Sequence, residues 1–155
     1  MAHIRFCMTY EGQCNAAPDR RNSSHSRQDH WAEAMRVNFA VNRAIRPEPD
    51  AGFDTWDIHM PKGDCEDYAL QKRAELIARG WPTDHLRLAI VRTKRGEPHA
   101  VLLVRIGTVD YALDNLTPSV KPWDETGHDY LILQDRHDPK LWHDVSPRGG
   151  GGGTS

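Results

Sequence analysis

Across residues 28–45, Ala34, Val37, Val41 and Ala44 recur at spacings of three and four, with Trp31 and Met35 beside the stripe. That period puts the apolar positions on one face of a helix. Ser26 stands where an N-cap belongs, and Pro47 and Pro49 end the pattern. Residues 50–63, with Gly52, Pro61 and Gly63, read as an irregular connection. A second helix is predicted from Cys65 or just before it. Asp64 is a good N-cap type, and Glu66 and Asp67 fall in the first turn, where negative charge suits the helix dipole. Leu70, Ala74 and Ile77 make its apolar face, Gly80 follows as a C′ residue, and Pro82 stops it.

Beyond Pro82 the period changes. Residues 86–93, 99–106, 109–113 and 130–134 are rich in Leu, Ile and Val and read as strands. The first three are separated by the turns KRGEP and Gly107-Thr108, which are too short for crossovers and imply an antiparallel meander. Helices first and a meander after them make an α+β fold, with N-terminal helices packed on an antiparallel sheet.

The chain has 155 residues, enough for one domain, which we assign to 1–147, followed by a flexible Gly-rich tail at 148–155. The polar, aperiodic stretch 16–26 reads as a loop, and no internal repeat is visible. A net charge of −2 argues against a nucleic-acid binder held by bulk electrostatics. The longest apolar run, Ala100 to Val104, has five residues, so insertion into a membrane is not expected. No apolar h-region follows Met1 to Ile4. The sequence as it stands therefore reads as cytoplasmic, or as the mature part of an exported protein.

Three cysteines carry the candidate chemistry: Cys7, Cys14 and Cys65. Gly12 could turn the chain enough for Cys7 and Cys14 to close a disulfide, which would leave Cys65 as an odd thiol, but spacing alone does not fix the pairing. Zinc-ligand spacing is missing. Cys65 stands at a helix start, His99 opens one strand, and Asp114 closes its neighbour. A hairpin sets the start of one strand beside the end of the next, so His99 and Asp114 can be lateral neighbours. Thiol, imidazole and carboxylate then have complementary tasks. The thiolate attacks, the imidazole takes and returns a proton, and the carboxylate fixes the imidazole tautomer. Each residue also has an ordinary reading. Cys65 can be a small core residue, nine histidines make any one of them weak evidence, Asp114 can begin a turn, and Asp110 is a rival carboxylate. The carboxylates Asp64, Glu66 and Asp67 oppose thiolate formation. They either cap the helix and point away or bind a hard cation such as calcium.

The segments GDCEDYALQKRAEL (63–76), EPHAVLLV (97–104) and YALDNL (111–116) resemble the bacterial transglutaminase-like cysteine proteinases, the family of a periplasmic protease that trims large biofilm adhesins. VNFAVNRAI (37–45), the Trp56 region and, more weakly, WDETGHDYLI (123–132) share the likeness. The resemblance implies a transglutaminase-like, papain-related fold, with Cys65 as nucleophile, His99 as general base and acid, and Asp114 as the orienting residue. It also implies Ca2+ held by Asp64, Glu66 and Asp67, export to the periplasm, and with export a Cys7–Cys14 bridge. The substrate would be a protein, of the surface-adhesin type, and a membrane-anchored regulator is an implied partner. The expected reaction is hydrolysis of a peptide bond. Acyl transfer to an amine, and a non-catalytic binding module on the same fold, are the competing readings.

Overall fold

The computed structural model describes residues 15–44, 46–47, 62–63 and 65–145, with the backbone alone for 46–47, 62–63, Cys65 and Glu66. Helix α1 (Arg27–Ala44) starts at a reciprocal cap. The Asp29 N–H donates to Ser26 Oγ at 3.2 Å, and the Ser26 N–H donates to Asp29 Oδ2 at 2.8 Å. Its buried positions, Ala34, Val37, Asn38 and Val41, follow the expected stripe.

Two-residue strands β1 (Arg46–Pro47) and β2 (Lys62–Gly63) pair in parallel within or beside the stretch read as irregular. Helix α2 (Cys65–Ala78) begins where expected. It ends in a Schellman turn: the Trp81 N–H reaches the Leu76 carbonyl at 3.0 Å and the Gly80 N–H the Ile77 carbonyl at 2.9 Å. Gly80 takes φ +98° there, and a Cβ on it would lie 3.1 Å from the Arg20 backbone. Trp81 is wholly buried, and its indole N–H donates to Glu33 Oε1 at 2.7 Å, tying the end of α2 to α1.

After a 3-10 turn at Thr83–His85 come β3 (Leu86–Arg92), β4 (Pro98–Ile106) and β5 (Val109–Leu113), the antiparallel meander that the short turns demanded. Strands β6 (Lys121–Pro122), β7 (Asp129–Gln134) and β8 (Trp142–Asp144) complete a six-stranded sheet in the order β6-β5-β4-β3-β7-β8. One face, with Leu86, Leu88, Leu102, Val104, Ile106 and Leu113, packs against α1 and α2. The other, with Ala89, Val91, Val101, Leu103, Ala112 and Tyr130, forms a second buried cluster. Burial on both faces explains why β4 is a nearly unbroken apolar run rather than an alternating one.

Candidate active site

His99 is the second residue of β4, and Asp114 follows the last residue of β5. The ladder between these strands runs from Ile106↔Val109 to Leu102↔Leu113. One step further sets Asp114 across from Val101 and diagonal to His99, a relation in which Cα atoms lie roughly 7–8 Å apart and polar side chains can meet. They do meet: His99 Nε2–H donates to Asp114 Oδ1 at 2.6 Å, with the two side chains only 5% and 4% exposed. A carboxylate can only accept, so this ring nitrogen carries the proton.

The carboxylate is fixed from further sides. The Leu116 N–H donates to Oδ1 at 3.0 Å, and Asn42, in the last turn of α1, donates from Nδ2 to the Asp114 carbonyl at 3.2 Å. Burial alone would raise the Asp114 pKa. The hydrogen bond and charge of His99, a second histidine described below, and the Leu116 N–H outweigh it and hold the pKa at about 2. The rival carboxylate, Asp110, is engaged elsewhere: Arg105 and Arg136 each donate to it at 3.2 Å.

Cys65 is the first residue of α2. Its side chain, that of Glu66 and all of Asp64 lie outside the described residues, so of the implied calcium set only Asp67 can be placed: it is buried in the first turn of the helix. The direction of α2 is legible all the same. Arg73 Nε donates to the Leu86 carbonyl at the start of β3, and the helix's C-terminal end leads into that same end of the sheet through the 3-10 turn. Going back from Arg73 to Cys65 retraces about 12 Å of helix. It leads toward the other end of β3, where Val91 pairs with His99. Of the tryptophans, Trp81 is core, Trp123 is 41% exposed, and Trp56 lies outside the described residues.

Two groups at the site carry no periodic signal in the sequence. His128 Nε2–H donates to the second oxygen of the same carboxylate, Asp114 Oδ2, at 2.9 Å. The two imidazoles lie edge to face, with centroids 5.6 Å apart. Lys72 is fully buried in α2, and its ammonium has no hydrogen-bond partner among the described residues; Nζ stands 5.9 Å from the centre of the Tyr68 ring. Burial pulls the Lys72 pKa down to about 7, against the attraction of Asp114. His99, Asp114 and His128 offer three ligand-type atoms within 4.8 Å of one another. Two imidazoles and a carboxylate suit a borderline dication such as zinc rather than calcium, which prefers an all-oxygen set. A ligating histidine normally donates its other N–H to an acceptor, and His128 Nδ1 is buried without a partner among the described residues. The trio therefore fits a hydrogen-bonded assembly better than a metal centre.

A family model described as bacterial transglutaminase-like cysteine proteinase matches residues 1–149. The chain belongs to this family. As a transglutaminase-like α+β domain it resembles solved structures of LapG from Legionella pneumophila, with a TM-score of 0.57 at 22% identity over 68% of this chain and 64% of that one. An EGTA-treated form of LapG gives 0.58 at 22% identity, covering 74% of this chain and 71% of that chain. A calcium-bound form gives 0.54 at 18% identity, covering 86% and 82%. The first of these alignments thus spans less than two thirds of LapG, and at such identities the likeness concerns the fold. No curated protein sequence matches the chain.

Proposed function

We propose that this transglutaminase-like cysteine proteinase hydrolyses a peptide bond within a protein substrate, with Cys65 as nucleophile, His99 as base and then acid, and Asp114 as the group that orients His99. The observation that carries the reading is the buried 2.6 Å bond from His99 Nε2 to an Asp114 carboxylate held at about 2. Because Nε2–H is committed to that carboxylate, Nδ1 is the nitrogen free to take the thiol proton. In the reaction the Cys65 sulfur attacks the scissile carbonyl, and backbone N–H groups at the start of α2 stabilise the oxyanion. His99 protonates the departing amine, leaving a thioester. It then deprotonates a water that attacks this thioester, and the acid product leaves with the thiol restored.

A calcium ion would be held by Asp64, Glu66 and Asp67. The hard carboxylate donors fit such an ion, and Asp67 is buried in the first turn of α2. The ion would supply positive charge beside the turn that carries Cys65. A calcium-bound LapG among the structural relatives supports this assignment. By the same kinship we assign a large surface adhesin as the substrate class, a membrane-anchored protein as regulator, and the periplasm as the compartment.

Mass spectrometry of a peptide library incubated with the enzyme and a primary amine tests the reaction. Hydrolysed peptides with wild type and none with C65A support the proposal. Amine adducts in place of acids would instead establish an acyltransferase, and no product together with an unreactive Cys65 would leave a binding module.

A further inference from the structure

We propose that His128 is a second positioning histidine of this site, locking the Asp114 carboxylate from the side opposite His99. This rests on the peptidase reading above and adds to it a residue that the Cys–His–Asp set does not include.

Asp114 has two carboxylate oxygens, and each is taken by a different ring: Oδ1 by His99 Nε2 at 2.6 Å and Oδ2 by His128 Nε2 at 2.9 Å. His99 and the Leu116 N–H both sit on Oδ1, so among the described residues His128 supplies the side-chain hold on Oδ2; with a donor on each oxygen the carboxylate plane is fixed. The plane in turn sets the azimuth of His99, and so the direction in which Nδ1 points. His128 is itself well placed for this. Its side chain is 10% exposed. It follows Gly127, whose φ of +84° turns the chain into β7, and it precedes the first residue of that strand, Asp129. Tyr130 on β7 and His99 on β4 are both ladder partners of Val91, so His128 stands two residues from the row that holds His99.

The chemistry of the ring favours positioning over proton transfer. Nε2–H faces a carboxylate, and Nδ1 is buried without a partner among the described residues, which suits a neutral ring that donates once. A protonated His128 would bury an unpaired N–H and place a second cation beside His99, disfavouring the imidazolium that the reaction needs. The role asked of His128 is therefore that of a neutral N–H donor, one that a primary amide can imitate. Gln carries its amide nitrogen about as far along the side chain as the imidazole carries Nε2.

The test measures kcat and KM for wild type, H128A and H128Q on one cleavable peptide, and for H128A in a D114A background. Expected are a kcat reduced about tenfold in H128A with KM within twofold, recovery to within about threefold of wild type in H128Q, and no further loss from H128A once Asp114 is gone. Equal kcat in wild type and H128A would overturn the proposal. So would an H128Q as slow as H128A, or an undiminished effect of H128A in the D114A background. If H128A does not fold, the comparison of H128Q with H128L serves, with H128L expected to be the slow variant and equal rates counting against the proposal. If wild type cleaves nothing, the peptidase reading fails on its own. His128 is then read from the alkylation rate of Cys65, where a rate lowered in H128A and restored in H128Q supports the role and equal rates refute it.

Discussion

Residue by residue, the site is a contest between burial and hydrogen bonding, settled at Asp114. Its carboxyl is held at about 2, below its ordinary value of 3.8, because the histidine and backbone donors outweigh burial. A carboxyl whose pKa is lower in the folded state stabilises the fold above its unfolded value and loses that contribution as pH falls through the folded one. The stability that the Asp114 cluster adds, about 2 kcal/mol by that linkage, should be intact at pH 5 and vanish between about pH 4 and pH 2. Denaturant titrations of wild type and D114A across this range check it: the gap between them should narrow as pH drops, and a constant gap would contradict the assignment. His99 and Asp114 were legible in the sequence because hairpin geometry ties the start of one strand to the end of the next. His128 was not. It sits in WDETGHDYLI, a stretch without periodicity, and its partner is fourteen residues away across the end of the sheet.

Among the elements, α2 carries the most tension. Its apolar positions were readable from spacings of three and four, but the same helix also buries Lys72 and Arg73 completely. Their charge assigns such residues to solvent, and only packing against both α1 and the sheet overrides it. Burial lowers the Lys72 pKa from 10.5 to about 7, so between those values the folded chain binds fewer protons than the unfolded one. Stability attributable to this residue therefore rises with pH through that window, and the cost of burying the cation is largest below pH 7. K72M, which keeps the length of the side chain without its charge, should stabilise the protein by about 1–3 kcal/mol at pH 6 and by much less at pH 10. Denaturation midpoints at the two pH values measure this, and a destabilised K72M at pH 6 would show that the cation is needed where it is. The meander β3–β5 was fully legible because its turns are short. Strands β1, β2, β6 and β8 are two or three residues long and cannot display an alternation.

At the scale of the whole molecule, the shape of the sheet converts the chain order into a site. Asp114 follows β5 and His128 precedes β7, three strand positions apart in the sheet order. In a flat sheet that separation would be about 14 Å. Their side chains nevertheless meet at 2.9 Å, because each residue lies just beyond its strand, in loops at the same end of the sheet. Where such loops lie also depends on strand twist and on irregularities such as the register shift between Ile90 and Val91, neither of which a one-dimensional pattern records. The α+β class and the order of helices and strands survive from sequence to structure; the convergence of His99, Asp114 and His128 does not announce itself. The acidic run around Cys65 belongs to this scale as well, because a calcium ion there would act on global stability. Saturating calcium should raise the melting temperature by roughly 5–10 °C, and D64A should abolish the rise. Identical melting curves in calcium and in chelator would remove the ion from the account.

The proposed chemistry requires Cys65 and His99 to act as one unit, and the rate at which Cys65 is alkylated tests that most directly. Iodoacetamide labelling at pH 6, read at the Cys65 peptide by mass spectrometry, should run at least tenfold faster than a simple thiol in wild type and fall to the simple-thiol rate in H99A. A wild-type rate no faster than the simple thiol, or one unchanged by H99A, would contradict it.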